Sequence, residues 1–140
     1  MAFSFDVHIA SAEECLYRGK ATGIVARGKL GDIGISFGHA PLLTSLRPGT
    51  VKVTDIDGKV ELYYISGGLL EVQPYMTTIL ADTAERAIDV DEKAALAAKK
   101  AAEEILSHQD KNTNFAQADL QLIKAVAQLK TIKALRNRSG

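Results

Sequence analysis

The character of this chain changes once, near Asp89. Before that point lie most of the glycines, all three prolines, most of the aromatic residues and most of the β-branched ones. After it come alanine, lysine and glutamate, with no proline and only a terminal glycine. Glycine and proline punctuate strands and turns, whereas long-stemmed residues and alanine suit helices. A single switch of this kind predicts a strand-rich part followed by a helical one, with the boundary expected between residues 1–87 and 88–140.

In the first part the apolar residues recur at every second position. Phe3, Phe5, Val7 and Ile9 alternate with Ser4, Asp6 and His8, which predicts a strand with one buried face and His8 on the solvated side. Ser11 to Glu14 reads as a turn. Leu16 to Ala21 and Gly23 to Ala26 predict two short strands broken around Thr22-Gly23. Val51 and Val53 alternate with Lys52 and Thr54, and Val60, Leu62 and Tyr64 alternate beyond Asp57-Gly58. Two such runs joined by Asp-Gly predict a hairpin on a type I′ turn, with φ > 0 at both central residues. Gly67-Gly68 marks a bulge or sharp turn before Leu69 to Gln73, and Pro74-Tyr75 turns the chain into Met76 to Ala81. Many short strands between turn residues predict a β-sandwich or flattened barrel.

The stretch Gly28 to Gly49 is the densest in turns. Gly28, Gly31, Gly34 and Gly38 recur at three or four residues, with Leu30, Ile33, Ile35 and Phe37 between them. The apolar residues are too few for a helix face and suit short, tightly turned strands. His39-Ala40-Pro41 ends the run, because proline holds Ala40 extended. A phosphate-binding loop would need Gly-Lys-Ser/Thr and a helix opening behind it, and neither follows.

In the second part the period becomes helical. Asp89 and Glu92 have capping-box spacing, and Asp91 is a competing N-cap. Ala94, Ala98, Ala101 and Ile105 step by 4, 3 and 4 and predict the seam of a first helix. Six of the nine residues from Ala94 to Ala102 are alanine, so its apolar face is thin. The polar run Ser107 to Asn114 predicts a loop. Phe115, Ala118, Leu122, Ala125, Leu129 and Ile132 then mark the stripe of a second helix, and the two form an antiparallel hairpin. This helix carries Lys124, Lys130, Lys133, Arg136 and Arg138, with no acidic residue after Asp119. Such an end complements the helix dipole, and it could equally dock an acidic partner.

The formal net charge is zero, which offers nothing to nucleic acid or to an anionic membrane. The single cysteine, Cys15, cannot form an internal disulfide and reads as an inert, partly buried thiol. The start of the chain lacks the pattern of a signal peptide, and no apolar run approaches the roughly 20 residues that cross a bilayer. A soluble protein is expected, reaching a membrane only through partners. His8, His39 and His108 lack metal-ligand spacing. Ser36, His39 and Asp32 contain the residue types of a catalytic triad, but nearness in sequence does not place the base between nucleophile and acid. No catalytic residues, metal or cofactor are expected. His39 is expected in a turn, bonded to backbone or facing a partner.

Asp32-Ile33-Gly34-Ile35, Gly38-His39-Ala40-Pro41-Leu42-Leu43 and Arg47-Pro48-Gly49, with Tyr64 to Val72 and Leu80 to Ala84, resemble the epsilon-subunit family of bacterial F-type ATP synthases. The resemblance runs in order along nearly the whole chain. It implies a ten-stranded sandwich with a C-terminal helical hairpin, in a non-catalytic subunit of the rotating central stalk. It also implies a place on the cytoplasmic face of the inner membrane, with the gamma subunit, the c-ring and the alpha and beta subunits as partners. Carried over residue by residue, it makes Lys29, Gly31, Asp32 and Ile33 c-ring contacts, and His39, Ala40, Pro41 and Leu42 gamma contacts. It makes Lys124, Lys130, Lys133, Arg136 and Arg138 regulatory contacts to the catalytic ring, with the hairpin moving between a compact form and an extended, inhibitory one. Some family members bind ATP through Ile/Leu-Asp-x-x-Arg-Ala. Here Ile88-Asp89 and Val90-Asp91 both keep the aspartate and both lack the arginine, so ATP binding at Asp89 or Asp91 should be weak. A free-standing β-sandwich ligand sensor, or an adaptor with a helical arm, is the competing reading.

Overall fold

The computed structural model describes residues 3–108 and 114–138. Strands β1 (Phe5–Ala10), β2 (Cys15–Gly28), β3 (Gly31–Ile35), β4 (Leu42–Leu46), β5 (Gly49–Asp55), β6 (Val60–Ile65), β7 (Gly68–Val72), β8 (Met76–Ala81) and β9 (Ala84–Arg86) build the first part. One 3-10 turn (Ala87–Asp89) leads to α1 (Glu92–Ser107), and α2 (Phe115–Arg138) follows. The polar loop expected between the helices falls mostly in 109–113, outside the described residues.

The sheet folds back on itself as a sandwich. One layer runs β1-β8-β7-β4 and the other β3-β2-β5-β6-β9. Only β1 and β8 pair in parallel. Strand β2 serves both layers: Phe5 lies opposite Ala21, while Ile24 lies opposite Ile35 on one side and Val53 on the other. Thr22-Gly23 therefore does not separate two strands, as the sequence suggested. The register slips between Ala21 and Gly23, and the Thr22 hydroxyl reaches the carbonyls of Thr54 and Asp55 at 3.4 Å. A bulge bends a strand without ending it, so fourteen residues from Cys15 to Gly28 form one element. The described residues thus hold nine strands against the ten of the resemblance.

The core between the layers is closed by Phe5, Val7, Ile9, Ile24, Val51, Val53, Tyr63, Ile65, Leu70 and Ile79, and every residue of this cluster lies between positions 5 and 84. The sandwich thus buries its own core without the helices. Phe3 continues the period of two but lies outside β1, exposed and stacked on Phe37 at 5.1 Å. Asp57-Gly58 does join a hairpin, but not through a type I′ turn. Only Gly58 has positive φ, Gly58 N–H donates to Asp55 O at 3.1 Å, and Asp55 N–H donates to Lys59 O at 2.9 Å. The Asp55 carboxylate accepts from the backbones of Asp57 and Lys59 and holds this longer turn. Cys15 is exposed rather than partly buried.

Thr77 is fully buried in the core with its hydroxyl unpartnered. A buried hydroxyl with no acceptor loses hydration and gains nothing in return. Thr77→Val keeps the shape and removes the polar atom. It should stabilise the sandwich by about 1 kcal/mol, raising Tm by several degrees. A lower Tm in thermal unfolding would show that the hydroxyl finds a partner.

The hairpin packs α1 on α2 and α2 on the sandwich. Asp91 is the N-cap of α1, its carboxylate accepting from Ala94 N–H at 3.1 Å, and Asp89 belongs to the preceding 3-10 turn. The seam of α1 is Ala95 and Ala102, with Leu106 half-buried; Ala94, Ala98, Ala101 and Ile105 are not buried. The expected stripe is thus one residue out of phase, because alanines fill both stripes and the pattern cannot separate them. The stripe of α2 falls as expected through Ala118, Leu122, Ala125, Leu129 and Ile132, whereas Phe115 is 42 % exposed.

A second buried face of α2, formed by Ala127 and Thr131, lies on the outer side of β5 and β6. Ala127 and Ile132 pack with Tyr64 and Val90. The Thr131 hydroxyl donates to Ala127 O at 2.8 Å and, its proton engaged, accepts from the Thr50 hydroxyl at 2.6 Å. This docking explains why β6 is buried on both faces from Leu62 to Ile65. Leu62 and Tyr64, which carry the alternation in the sequence, face the helix side, while Tyr63 and Ile65 face the core.

Candidate functional site

The β2–β3 hairpin and the loop before β4 carry the first two groups of expected site residues. At the hairpin tip Lys29, Gly31 and Asp32 are exposed, Asp32 sitting across the ladder from Arg27. Ile33 is half-buried and packs on the core, so it holds the hairpin as much as it presents a surface. Leu30 is completely exposed at the same tip. It is absent from the expected set, although an apolar residue in a two-residue turn between glycines has no core to reach.

The second loop starts about 13 Å away, at the far end of β3. His39 Nδ1 lies 2.7 Å from Ala40 O, and His39 N–H donates to Ser36 O at 3.1 Å. The ring therefore bonds to backbone, as the turn reading expects. Ala40 and Pro41 are exposed, and Leu42 is half-buried at the start of β4. Phe37 ties this loop to the chain start and to the β7–β8 turn, with ring centroids 5.1 Å from Phe3 and 6.0 Å from Tyr75.

Beside this aromatic knot lies an uncovered sheet face. Leu43 on β4, Leu69 on β7 and Leu80 on β8 are 69 %, 49 % and 56 % exposed, and Leu69 pairs with both Ser45 and Leu80 across the ladders. Three exposed leucines on neighbouring strands form a patch of the kind that binds another protein. The pattern could have signalled it, since each alternates with buried or half-buried residues of its own strand.

The five cations of α2 are not brought together. Arg136 grips Glu92 through both guanidinium nitrogens, joining the end of α2 to the start of α1. Arg138 donates to the carbonyl of Val60 at the start of β6. Lys133 is exposed, Lys124 lines a cleft on one flank of α2, and Lys130 lines a groove on the other. Docking on the sandwich thus occupies Arg138, the contact between the two helices occupies Arg136, and the lysines face outward or into clefts. Asp89 is exposed, and the Asp91 carboxylate is taken up by its cap.

The Lys124 cleft encloses about 750 Å³ between α2 and the sandwich, and Glu85 on β9 stands in it opposite Gln128. Burial raises the Glu85 pKa above the usual carboxylate value, a hydrogen bond from Gln128 lowers it in part, and the charges of Asp89 and Asp91 raise it further. Undocking α2 would hydrate this carboxyl and bring its pKa back down. A group whose docked pKa is raised favours docking fully below its ordinary pKa, and that contribution is lost as pH rises through the docked value. Acidification from neutrality through the carboxylate range should therefore tighten docking, and Glu85→Gln should flatten the response. A spin-label distance between positions Lys52 and Lys133, in a Cys15→Ser background, measures both.

Residues 4–87 match the family described as ATP synthase, Delta/Epsilon chain, beta-sandwich domain, and residues 89–133 match ATP synthase, Delta/Epsilon chain, long alpha-helix domain. The ATP synthase epsilon chain of Nitrosococcus oceani is 45% identical over 140 residues, covering 100% of both chains. That of Halorhodospira halophila is 49% identical over 137 residues, 97% of each. Among solved structures, a chain of the Euglena gracilis mitochondrial ATP synthase, from its OSCP/F1/c-ring assembly, superposes with a TM-score of 0.83 at 21% identity, covering 92% of this chain and 81% of that one. At that identity the superposition speaks for the fold, and the sequence matches carry the kinship. From the sandwich through the helical pair, the chain belongs to the ATP synthase delta/epsilon chain family.

Proposed function

We propose that this chain is a non-catalytic subunit of the central stalk of a proton-translocating F-type ATP synthase. In this reading it couples the gamma subunit to the c-ring, and its helical hairpin restrains ATP hydrolysis. The β2–β3 tip, with Lys29, Leu30, Gly31 and Asp32, faces the c-ring, and Ile33 braces it. The loop His39 to Leu42 and the leucine face of β4, β7 and β8 meet gamma. Among the described residues no helix is long and apolar enough to cross a membrane. Attachment to the cytoplasmic face of a bacterial inner membrane is then through these partners.

The observation that carries the regulatory part is how little holds the hairpin down. Among the described residues the interface with the sandwich is a small cluster, Tyr64, Val90, Ala127 and Ile132, with a hydroxyl pair, the Glu85–Gln128 hydrogen bond and the Arg138 contact. Two of the cluster's side chains belong to α2, and one is an alanine, so docking is worth only a few kcal/mol by apolar burial. A partner with a comparable preference for the extended form can shift the population. Lys124, Lys130, Lys133 and Arg138 then become available to the alpha and beta subunits, and Arg136 joins them once its pair with Glu92 opens.

The test is co-purification of the full chain with gamma, then hydrolysis by the assembled complex with and without residues 89–140. Because the sandwich core closes without the helices, the shortened chain should still bind gamma, and hydrolysis should rise severalfold. An unchanged rate would remove the restraining role. Failure of the full chain to bind gamma would remove the stalk role as well.

A further inference from the structure

On the flank of α2 opposite Glu85, a groove of about 630 Å³ runs between the helix and the corner of the sandwich where β2, β3 and β5 meet. Its helix wall is apolar. Leu120 and Ile123 contribute, 46 % and 45 % exposed, and Val126 lies a turn further on. Its other polar feature is cationic: Arg27 and Arg47 from the sandwich and Lys130 from α2 line it, and Asp32 is the one carboxylate. None of these three cations forms an ion pair among the described residues. The stem of Arg27 lies over the backbone of Gly49, where an added Cβ would meet it at 2.9 Å, so the side chain is held against the groove floor.

We infer that this groove is a binding site for a free, single-chain amphiphilic anion, an alkyl carboxylate, sulfate or phosphate, and that its occupant holds the hairpin in the docked position. On α2 the apolar residues of the groove precede its cation. Ile123 and Lys130 lie seven residues apart on α2, roughly 10 Å along the axis. A tail laid on Leu120, Ile123 and Val126 brings its head group towards Lys130, with Arg27 and Arg47 on the facing wall of the same groove. Three cations against one carboxylate select an anion, and a guanidinium pair suits a planar or tetrahedral oxyanion. The alkyl tail covers aliphatic surface that the docked helix leaves wet in a concave site. A ligand touching both walls binds only the docked form, so it stabilises that form by mass action. The groove is walled on two sides, which suits a free molecule rather than one held in a bilayer. The inference stands on the groove and is independent of the stalk role.

The experiment is isothermal titration of the full chain with laurate below its micelle concentration. Dodecyltrimethylammonium supplies the same tail with the opposite charge, inorganic phosphate supplies a head without a tail, and phosphatidylglycerol vesicles supply a bilayer-held head group. The expected result is saturable 1:1 binding of laurate alone. It should be weakened about tenfold or more in both Arg27→Gln/Arg47→Gln and Leu120→Ser/Ile123→Ser, and unchanged in Lys59→Gln. The spin-label distance between positions Lys52 and Lys133 should narrow to the docked value as laurate saturates. All four groove positions are exposed or at its lip, so these variants keep the core, and an unchanged circular dichroism melt verifies it. Equal binding of the cationic amphiphile, equal affinity of the arginine variant, or no saturation would overturn the site. Preference for vesicles over laurate would overturn the free-ligand assignment.

Discussion

Gly68→Ala should cost the sandwich about 3 kcal/mol or more, the largest loss expected of a glycine-to-alanine change among the described residues. Gly68 has φ +146, a conformation that side-chain-bearing residues rarely adopt, and its added Cβ would sit 2.2 Å from Leu80 O and 2.8 Å from Ala81 Cα. Both contacts are backbone atoms of β8, so no rotamer relieves them. Gly68 is also the end residue of β7, paired with Ala81 on one side and Leu46 on the other. Moving it loosens the β4–β7–β8 corner, whose outer face carries the exposed leucines. For a domain of this size the loss corresponds to a Tm drop of roughly 12 °C or more. Gly34→Ala is the control: no atom lies within 4 Å of the added Cβ, and its φ is not positive. Thermal unfolding of the two variants side by side checks the claim, and equal melting temperatures would refute it.

Ala127→Glu should release the hairpin while leaving the sandwich folded. Ala127 is 6 % exposed and packs against Tyr64 and Val90 across the docking interface. Ala127 also lines the groove of Arg27, Arg47 and Lys130, so the new carboxylate has cations to turn towards, but its stem must still overfill the contact with Tyr64 and Val90, at a cost of about 1–3 kcal/mol. That is comparable with the few kcal/mol assigned to docking. Glutamate is a good helix former, so α2 itself should persist. The spin-label distance between positions Lys52 and Lys133 should lengthen and broaden, and protease should cut between Ala87 and Glu92 at least tenfold faster, by the population shift of about 1.4 kcal/mol per decade. The melt of the sandwich should not move. In the assembled enzyme the freed hairpin should lower hydrolysis below that of the unsubstituted complex. A short, unchanged distance would mean that docking is stronger than its contacts imply.

These two substitutions also separate what could be read early from what could not. Gly34 and Gly68 look alike in the sequence, since each adjoins strand residues in a turn-rich run. Only the approach of β8 to one of them makes it irreplaceable. In α1 the alanines fill two adjacent stripes, so the spacing allowed either, and the real seam at Ala95 and Ala102 depends on where α2 lies. In β6 the apolar alternation was visible, but its direction was not. Leu62 and Tyr64 look like a core face until α2 is seen to cover them, and Tyr63 and Ile65 then take the core. The exposure of Leu30 follows from its position in a tight turn, whereas the leucine patch of β4, β7 and β8 needs the strand order before its members become neighbours.

Local chemistry decided much of this protein in advance: the strand-to-helix switch near Asp89, most strand positions, the cap at Asp91 as one of two candidates, and the stripe of α2. Those features depend on residues within a turn or a strand of one another, where propensity and periodicity act. The tertiary structure alone decided the continuous bent β2, the phase of α1, the second buried face of α2, and the distribution of five lysines and arginines among an ion pair, a backbone carbonyl, two clefts and open solvent. Each of these rests on contacts between residues far apart in the chain, such as Thr50 with Thr131 and Glu92 with Arg136. A period in the sequence says that a face will be buried, and only packing says against what.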